Sequence, residues 1–137
     1  MAGRVLAFLM LSTASQVSSG DIARALRVSA GSVSTATREL AEAGCIRQIA
    51  VPGSRGHYFR SADDVCGAFL VAEQRRHHVN VAFAEELMGI LDPDETKPLK
   101  RLANMRDYHA FLDRSHLRLR HEWEELKRRR DAARHHE

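Results

Sequence analysis

Nothing in these 137 residues approaches the ~20 consecutive apolar positions that span a bilayer, so no segment is read as a membrane helix. Cysteine is nearly missing. Cys45 and Cys66 stand far apart and make neither a disulfide framework nor a metal-ligand spacing, which points to a reducing, cytoplasmic setting. Glycine never gathers into a phosphate-cradling loop, and no nucleophile comes with a recognisable base and orienting group. An enzyme is therefore not expected, nor is a cofactor. Proline occurs only at Pro52, Pro93 and Pro98, each where the pattern asks for a turn, a break or the first turn of a helix. The apolar residues 5–11 behind Arg4 have the outline of a minimal signal peptide. They are short for that role, and removing them would strip the following segments of a packing partner, so they are read as a first core helix.

What is present is a globular composition, 44% hydrophobic, enough for one compact domain and an extension. The net charge of +3 is unevenly placed. Residues 1–60 carry seven arginines against three acids, whereas residues 61–137 carry fourteen basic side chains against fifteen acidic ones. A positive excess confined to the first part suits the neutralisation of phosphates.

Within that part Ser18 is placed to cap a short helix, with Asp21 three residues on as a shortened capping box and Ile22 and Leu26 as the inward stripe. Val28-Ser29 makes a tight turn. Ser29 caps a second helix that Gly44 stops, and Ala30, Val33, Ala36, Thr37 and Leu40 share one face of it. The opposite face is Gly31, Thr35, Arg38 and Glu42, flanked by Ser32 and Ser34. It is small and hydroxyl-rich near the helix N-terminus, which allows close approach to phosphates and base edges, and Arg38 is the long cation that reaches a guanine edge or a phosphate. After Gly44 the period changes, and residues 45–51 and 57–60 read as strands. Pro52-Gly53-Ser54-Arg55-Gly56 joins them with Arg55 at the tip.

Helix, turn, helix and hairpin in this order make a winged helix-turn-helix, a rigid device for placing one helix in the DNA major groove and a hairpin along the adjacent backbone. The fold expected is mainly α with a small β-hairpin wing, followed by a long carboxy-terminal helical hairpin for dimerisation. Candidate contacts to double-stranded DNA are Ser29, Gly31, Ser32, Ser34, Thr35, Arg38, Arg55 and His57. The opposing reading is a winged helix that serves as a protein-docking adaptor without sequence-specific DNA binding.

The stretches AGRVLAFLML, DIARALRVSAGSVSTATRELAEAGCI and VPGSRGHYFR resemble the MarR-type transcriptional regulators, most closely their GbsR-like branch. The resemblance covers residues 2–60 and rests most on Gly3-Arg4, Gly31-Ser32-Val33-Ser34 and residues 53–59; the remainder matches as a pattern of long helices. It implies a dimeric regulator of palindromic operators, often a repressor released by a small molecule. Such relatives usually carry a further helix ahead of the Gly-Arg segment, on which this sequence almost opens. Either the start lies upstream or the dimer is built differently.

Residues 61–137 are expected to be the dimerisation region, distinct from a DNA-binding domain of residues 1–60. Ser61-Ala62-Asp63-Asp64 starts a helix whose stripe is Val65, Phe69, Ala72, Val79, Phe83, Leu87 and Ile90. Residues 92–96 break it. Pro98 then stands in the first turn of a last helix reaching about Arg134, with a seam of Leu102, Met105, His109, Leu112, His116, Leu119, Trp123 and Leu126. A stripe of this length needs a partner, and a twofold mate supplies one. The operator expected is then an inverted repeat with half-sites about 34 Å apart.

His109, Asp113 and His116, at i, i+4 and i+7, offer a metal site or a pH-sensitive contact. The favoured reading makes the imidazoles half-buried polar fillers. His77-His78 is read as a solvated stretch of helix, His135-His136 as a frayed tail, and residues 127–130 as a solvated helix end facing Glu122, Glu124 and Glu125. Cys45 and Cys66 are read as small core residues rather than thiol sensors. A small-molecule effector would lodge between the winged domain and the long helices, with Phe69, Phe83 and Trp123 as candidate walls.

Overall fold

A computed structural model describes residues 1–134; His135 and His136, read above as a frayed tail, lie outside the described residues. The chain forms two compact units, Met1–Phe69 and Leu70–Glu137. The first contains α1 (Ala2–Leu11), β1 (Val17–Ser18), α2 (Ser19–Leu26), α3 (Ala30–Glu42), β2 (Ile46–Ile49) and β3 (Tyr58–Ser61); α4 (Val65–Ile90) begins in it and continues into the second, which also holds α5 (Thr96–Arg134). Mainly helical, with a small antiparallel sheet and long carboxy-terminal helices, this is the expected fold class.

The core of the first unit follows from helical spacing. Val5 and Leu9, one turn apart on α1, are buried with Ile22 of α2 and Val33, Ala36 and Leu40 of α3. Each fully buried Val or Ile contributes on the order of 1.5–3 kcal/mol. The apolar residues 5–11 thus supply core side chains, as read above. Thr37 is also buried, and its hydroxyl donates to the Val33 carbonyl at 2.9 Å, so its polarity is satisfied within the helix. Ala30 departs from expectation: in the first turn of α3, ahead of the buried stripe, it is exposed.

Caps set the helix boundaries. Ser18 Oγ accepts from the Asp21 amide at 3.0 Å and donates to Asp21 Oδ2 at 2.7 Å, while Arg24 holds Asp21 Oδ1 at 2.7 Å. In a capping box the acid would instead accept the cap residue's own amide; the shorter aspartate takes the serine hydroxyl. The turn into α3 passes through Arg27 at φ 53°, ψ 51°, and Arg4 Nη2 donates to the Leu26 carbonyl at 3.0 Å, satisfying an acceptor at the end of α2. Ser29 Oγ accepts from the Ser32 amide at 3.1 Å to start α3. Gly44, at φ 76°, turns the chain beyond its end.

The strand expected at residues 45–51 is present in shorter form, and the one expected at 57–60 is of the expected length but begins one residue later, so His57 lies just before β3 rather than in it. The sheet order is β1-β3-β2, all antiparallel, with Arg47 opposite Arg60 and Gln48 opposite Phe59. The third strand, β1, was not anticipated: two residues are too few for a periodic signal, and Ser18 is at once a strand residue and a helix cap.

In the second unit α4 and α5 run antiparallel, as three contacts show: Gln74 to Arg120, His78 to Asp113 and Asn80 to His109. The apolar stripe of α4, expected to need a partner, is exposed within one chain at Phe69, Val79, Phe83 and Ile90. The face that meets α5 carries Gln74, His77 and Asn80, with the buried Ala84 two turns beyond His77, so polar side chains take a large part in the contact inside one chain. Below Phe69, His77 and Ala84 are the only buried positions among the described residues.

Candidate nucleic-acid interface

The α3 face predicted to meet DNA is exposed at Gly31, Ser34, Thr35 and Arg38. Ser29 and Ser32 are engaged differently: their hydroxyls lie 2.9 Å apart and the first accepts the amide of the second, so both orient the helix N-terminus. Ser34 and Arg38 line a groove of about 530 Å³ with Gln48, His57 and the start of α2 at Ser19 and Gly20. Gln48 Nε2 lies 2.8 Å from His57 Nδ1. With the amide donating, the ring proton falls on Nε2, a donor beyond this contact. Gln48 was missed from sequence, because only the β2–β3 register places it beside His57.

Arg55 is exposed in the loop between β2 and β3. Ser54 shapes that loop, accepting the Gly56 amide at 3.1 Å and meeting the Tyr58 hydroxyl at 3.2 Å. A Cβ at Gly56 would lie 3.3 Å from the Tyr58 ring and 3.4 Å from Ser54 Oγ, so a larger residue there would shift these two side chains by a few tenths of an ångström. Arg47 and Arg60, also missed, face each other across β2 and β3 and are both exposed. Like charges in direct cross-strand register repel, an arrangement suited to an anionic partner. Among the described residues none of Arg38, Arg47, Arg55 and Arg60 has an ion-pair partner. In contrast, Arg128 and Arg129 near the carboxy terminus pair with Glu125 and Lys127 with Glu124, the solvated helix end expected there.

The histidines form a second constellation, within the second unit. His77 is not solvated as its sequence context suggested: it is 8% exposed, because α4 turns it toward α5. Its Nδ1 lies 2.9 Å from His109 Nδ1, whose ring reaches Asn80 Nδ2 at 3.4 Å. Burial, then the neighbouring His116 and His109, hold its pKa below the usual histidine value, favouring the neutral ring. The expected set of His109, Asp113 and His116 does not converge. Asp113 Oδ2 lies 3.8 Å from His78 Nδ1, and Oδ1 is buried with no hydrogen-bond partner among the described residues, whereas His116 groups with Glu73 and His77 of α4.

Cys45 is buried, and burial followed by the charge of Cys66 pushes its thiol pKa up. Cys66, expected in the core, is exposed on the first turn of α4.

Residues 1–55 match the description of the MarR family, and residues 64–129 that of MmpR5-like MarR family transcriptional regulators. The HTH-type transcriptional regulator MmpR5 of Mycobacterium tuberculosis is 33% identical over 117 residues, spanning 82% of this chain and 68% of that protein. A solved structure described as the crystal structure of a transcriptional regulator is 28% identical with a TM-score of 0.74, covering 90% of this chain and 84% of that one. No helix among the described residues is long and apolar enough to cross a membrane.

Proposed function

The chain belongs to the MarR family of transcriptional regulators, and from that premise we propose that it acts as a homodimeric repressor that reads an inverted-repeat operator and is released by a small molecule. It is a DNA-binding regulator and not an enzyme; the further particulars are our reading. The observation that carries it is a group of exposed arginines on the winged unit that have no ion-pair partner among the described residues: Arg38 on the recognition helix α3, Arg55 in the wing loop, and Arg47 with Arg60 on the wing strands. Arg38 with Ser34, Thr35 and Gly31 would face the major groove, while Arg55 and His57 would follow the backbone. Ser29 and Ser32 would position this surface from the cap.

The dimer is supported by what the second unit lacks. Its helices of 26 and 39 residues leave Val79, Phe83, Tyr108, Phe111 and Leu119 exposed. A second copy is the natural cover, since a twofold operator needs a twofold protein. Residues 1–60 would then bind DNA and residues 61–137 dimerise, in the cytoplasm where the operator lies. Release by a small molecule, and a GbsR-like affinity within the family, are carried over from the resemblance of the first half.

The test is selection of bound fragments from the source genome, followed by fluorescence anisotropy on the selected sequences over a range of salt. Inverted repeats bound with a steep salt dependence are expected. Binding indifferent to sequence and salt would turn the reading toward a protein-docking adaptor.

A further inference from the structure

We infer that Glu73, His77 and His116 form a site for a divalent first-row transition metal ion that fastens α4 to α5. Their ligand atoms lie within 4.8 Å of one another, so a small closing movement of the side chains would bring all three to the ~2.0–2.2 Å of metal–nitrogen and metal–oxygen bonds. Two imidazoles and one carboxylate suit Zn²⁺, with a fourth position for water. Glu73 and His77 come from one helix and His116 from the other, so the ion would be a cross-link within the second unit.

The contacts behind the ligands set this group apart from polar fillers. His116 Nδ1 lies 2.9 Å from the Leu112 carbonyl; a carbonyl can only accept, so the proton is on Nδ1 and the Nε2 lone pair is free. Glu73 Oε1 is held by Arg76 at 3.0 Å, which leaves Oε2 toward His77 Nε2 at 4.0 Å. His77 Nδ1 meets His109 Nδ1 at 2.9 Å. With Asn80 Nδ2 donating to His109 Nε2, the His109 proton is on Nδ1 and is donated to His77 Nδ1, so in the metal-free chain His77 Nε2 carries its proton toward Glu73. Metal at His77 Nε2 requires the reverse pair of tautomers, His77 donating from Nδ1 and His109 donating from Nε2 to the Asn80 amide oxygen once that amide turns over, which makes His109 the outer partner of the bound histidine. Each ligand thus has one atom anchored and another turned inward.

The experiment uses the full chain, freed of metal with a chelator. Co²⁺ is added and followed by its visible absorption, and Zn²⁺ by calorimetry and thermal melting. One ion per chain is expected, with a raised melting temperature. Glu73→Gln and His116→Gln each weaken binding by roughly 100-fold or more, His109→Gln by about 10- to 100-fold, and His78→Ala leaves it unchanged. Circular dichroism of the metal-free variants shows whether each is folded. Less than one ion bound by the parent chain overturns the site. So does binding retained by folded Glu73→Gln and His116→Gln, or binding lost instead when His135→Ala and His136→Ala are combined.

Discussion

Arg38 and Arg55 are both exposed and, among the described residues, without an ion-pair partner, yet they stand on supports of different stiffness, a capped helix and a loop held by the Ser54 hydroxyl on the Gly56 amide. A rigid support suits base reading and a loop suits phosphate contact. Arg38→Ala is expected to weaken operator binding by ~1–3 kcal/mol and to relax preference at one base position. Arg55→Ala should weaken binding to all sequences and lower the salt slope by about one. Anisotropy titrations on operator and scrambled duplexes separate the two, and unchanged affinity in both variants would remove the assigned surface. The cysteines differ just as sharply. Burial keeps Cys45 protonated where Cys66 is open to reagent, so iodoacetamide at mildly alkaline pH should label Cys66 first, with Cys45 reacting only as the chain unfolds. Mass spectrometry of a time course reads the order; simultaneous labelling would contradict it.

At the scale of elements, local chemistry and long-range pairing parted company. Ser18, Ser29 and Gly44 mark helix boundaries through bonds that span three or four residues, and the sequence carried those in full, down to the bounds of α4. Register carried β1, the Gln48–His57 contact and the Arg47–Arg60 pair, and register is not local. The long helices misled for a related reason. Helical periodicity finds the apolar stripe of α4 but says nothing of which face the same chain covers, so the sequence reads His77 as solvated where it is buried, while Phe83 of the stripe stays exposed. The α2 cap makes a pH prediction. The Ser18 hydroxyl, then Arg24, hold the Asp21 carboxyl below its usual 3.8. A carboxylate with a depressed pKa in the folded state contributes stability above the unfolded value, and that contribution disappears as pH falls through the lowered one. Parent and Asp21→Asn should therefore differ in melting temperature near pH 5 and converge as the pH falls below the usual carboxylate value and through the lowered one. A gap that persists in acid would mean the contact acts without its charge.

For the whole molecule, the distribution of apolar surface is what the proposed dimer rests on. Phe83 is 49% and Phe111 59% exposed, and a carboxylate at either place would have to be desolvated in a covered interface. Phe83→Glu and Phe111→Glu are each expected to shift the protein toward monomer at micromolar concentration in sedimentation, and with it to reduce affinity for the paired half-sites while leaving weak binding to one. A full-affinity monomer would defeat the twofold arrangement. The scant interior of the second unit, where His77 and Ala84 are the only buried side chains below Phe69 among the described residues, reaches further. A region that completes its interior only by pairing is governed by mass action, so its melting temperature should climb with protein concentration. Dilution would then act as a control in its own right: as copy number falls, the partner that finishes the fold becomes scarce, and chains left single are opened to proteolysis, clearing the regulator faster than its synthesis alone would predict.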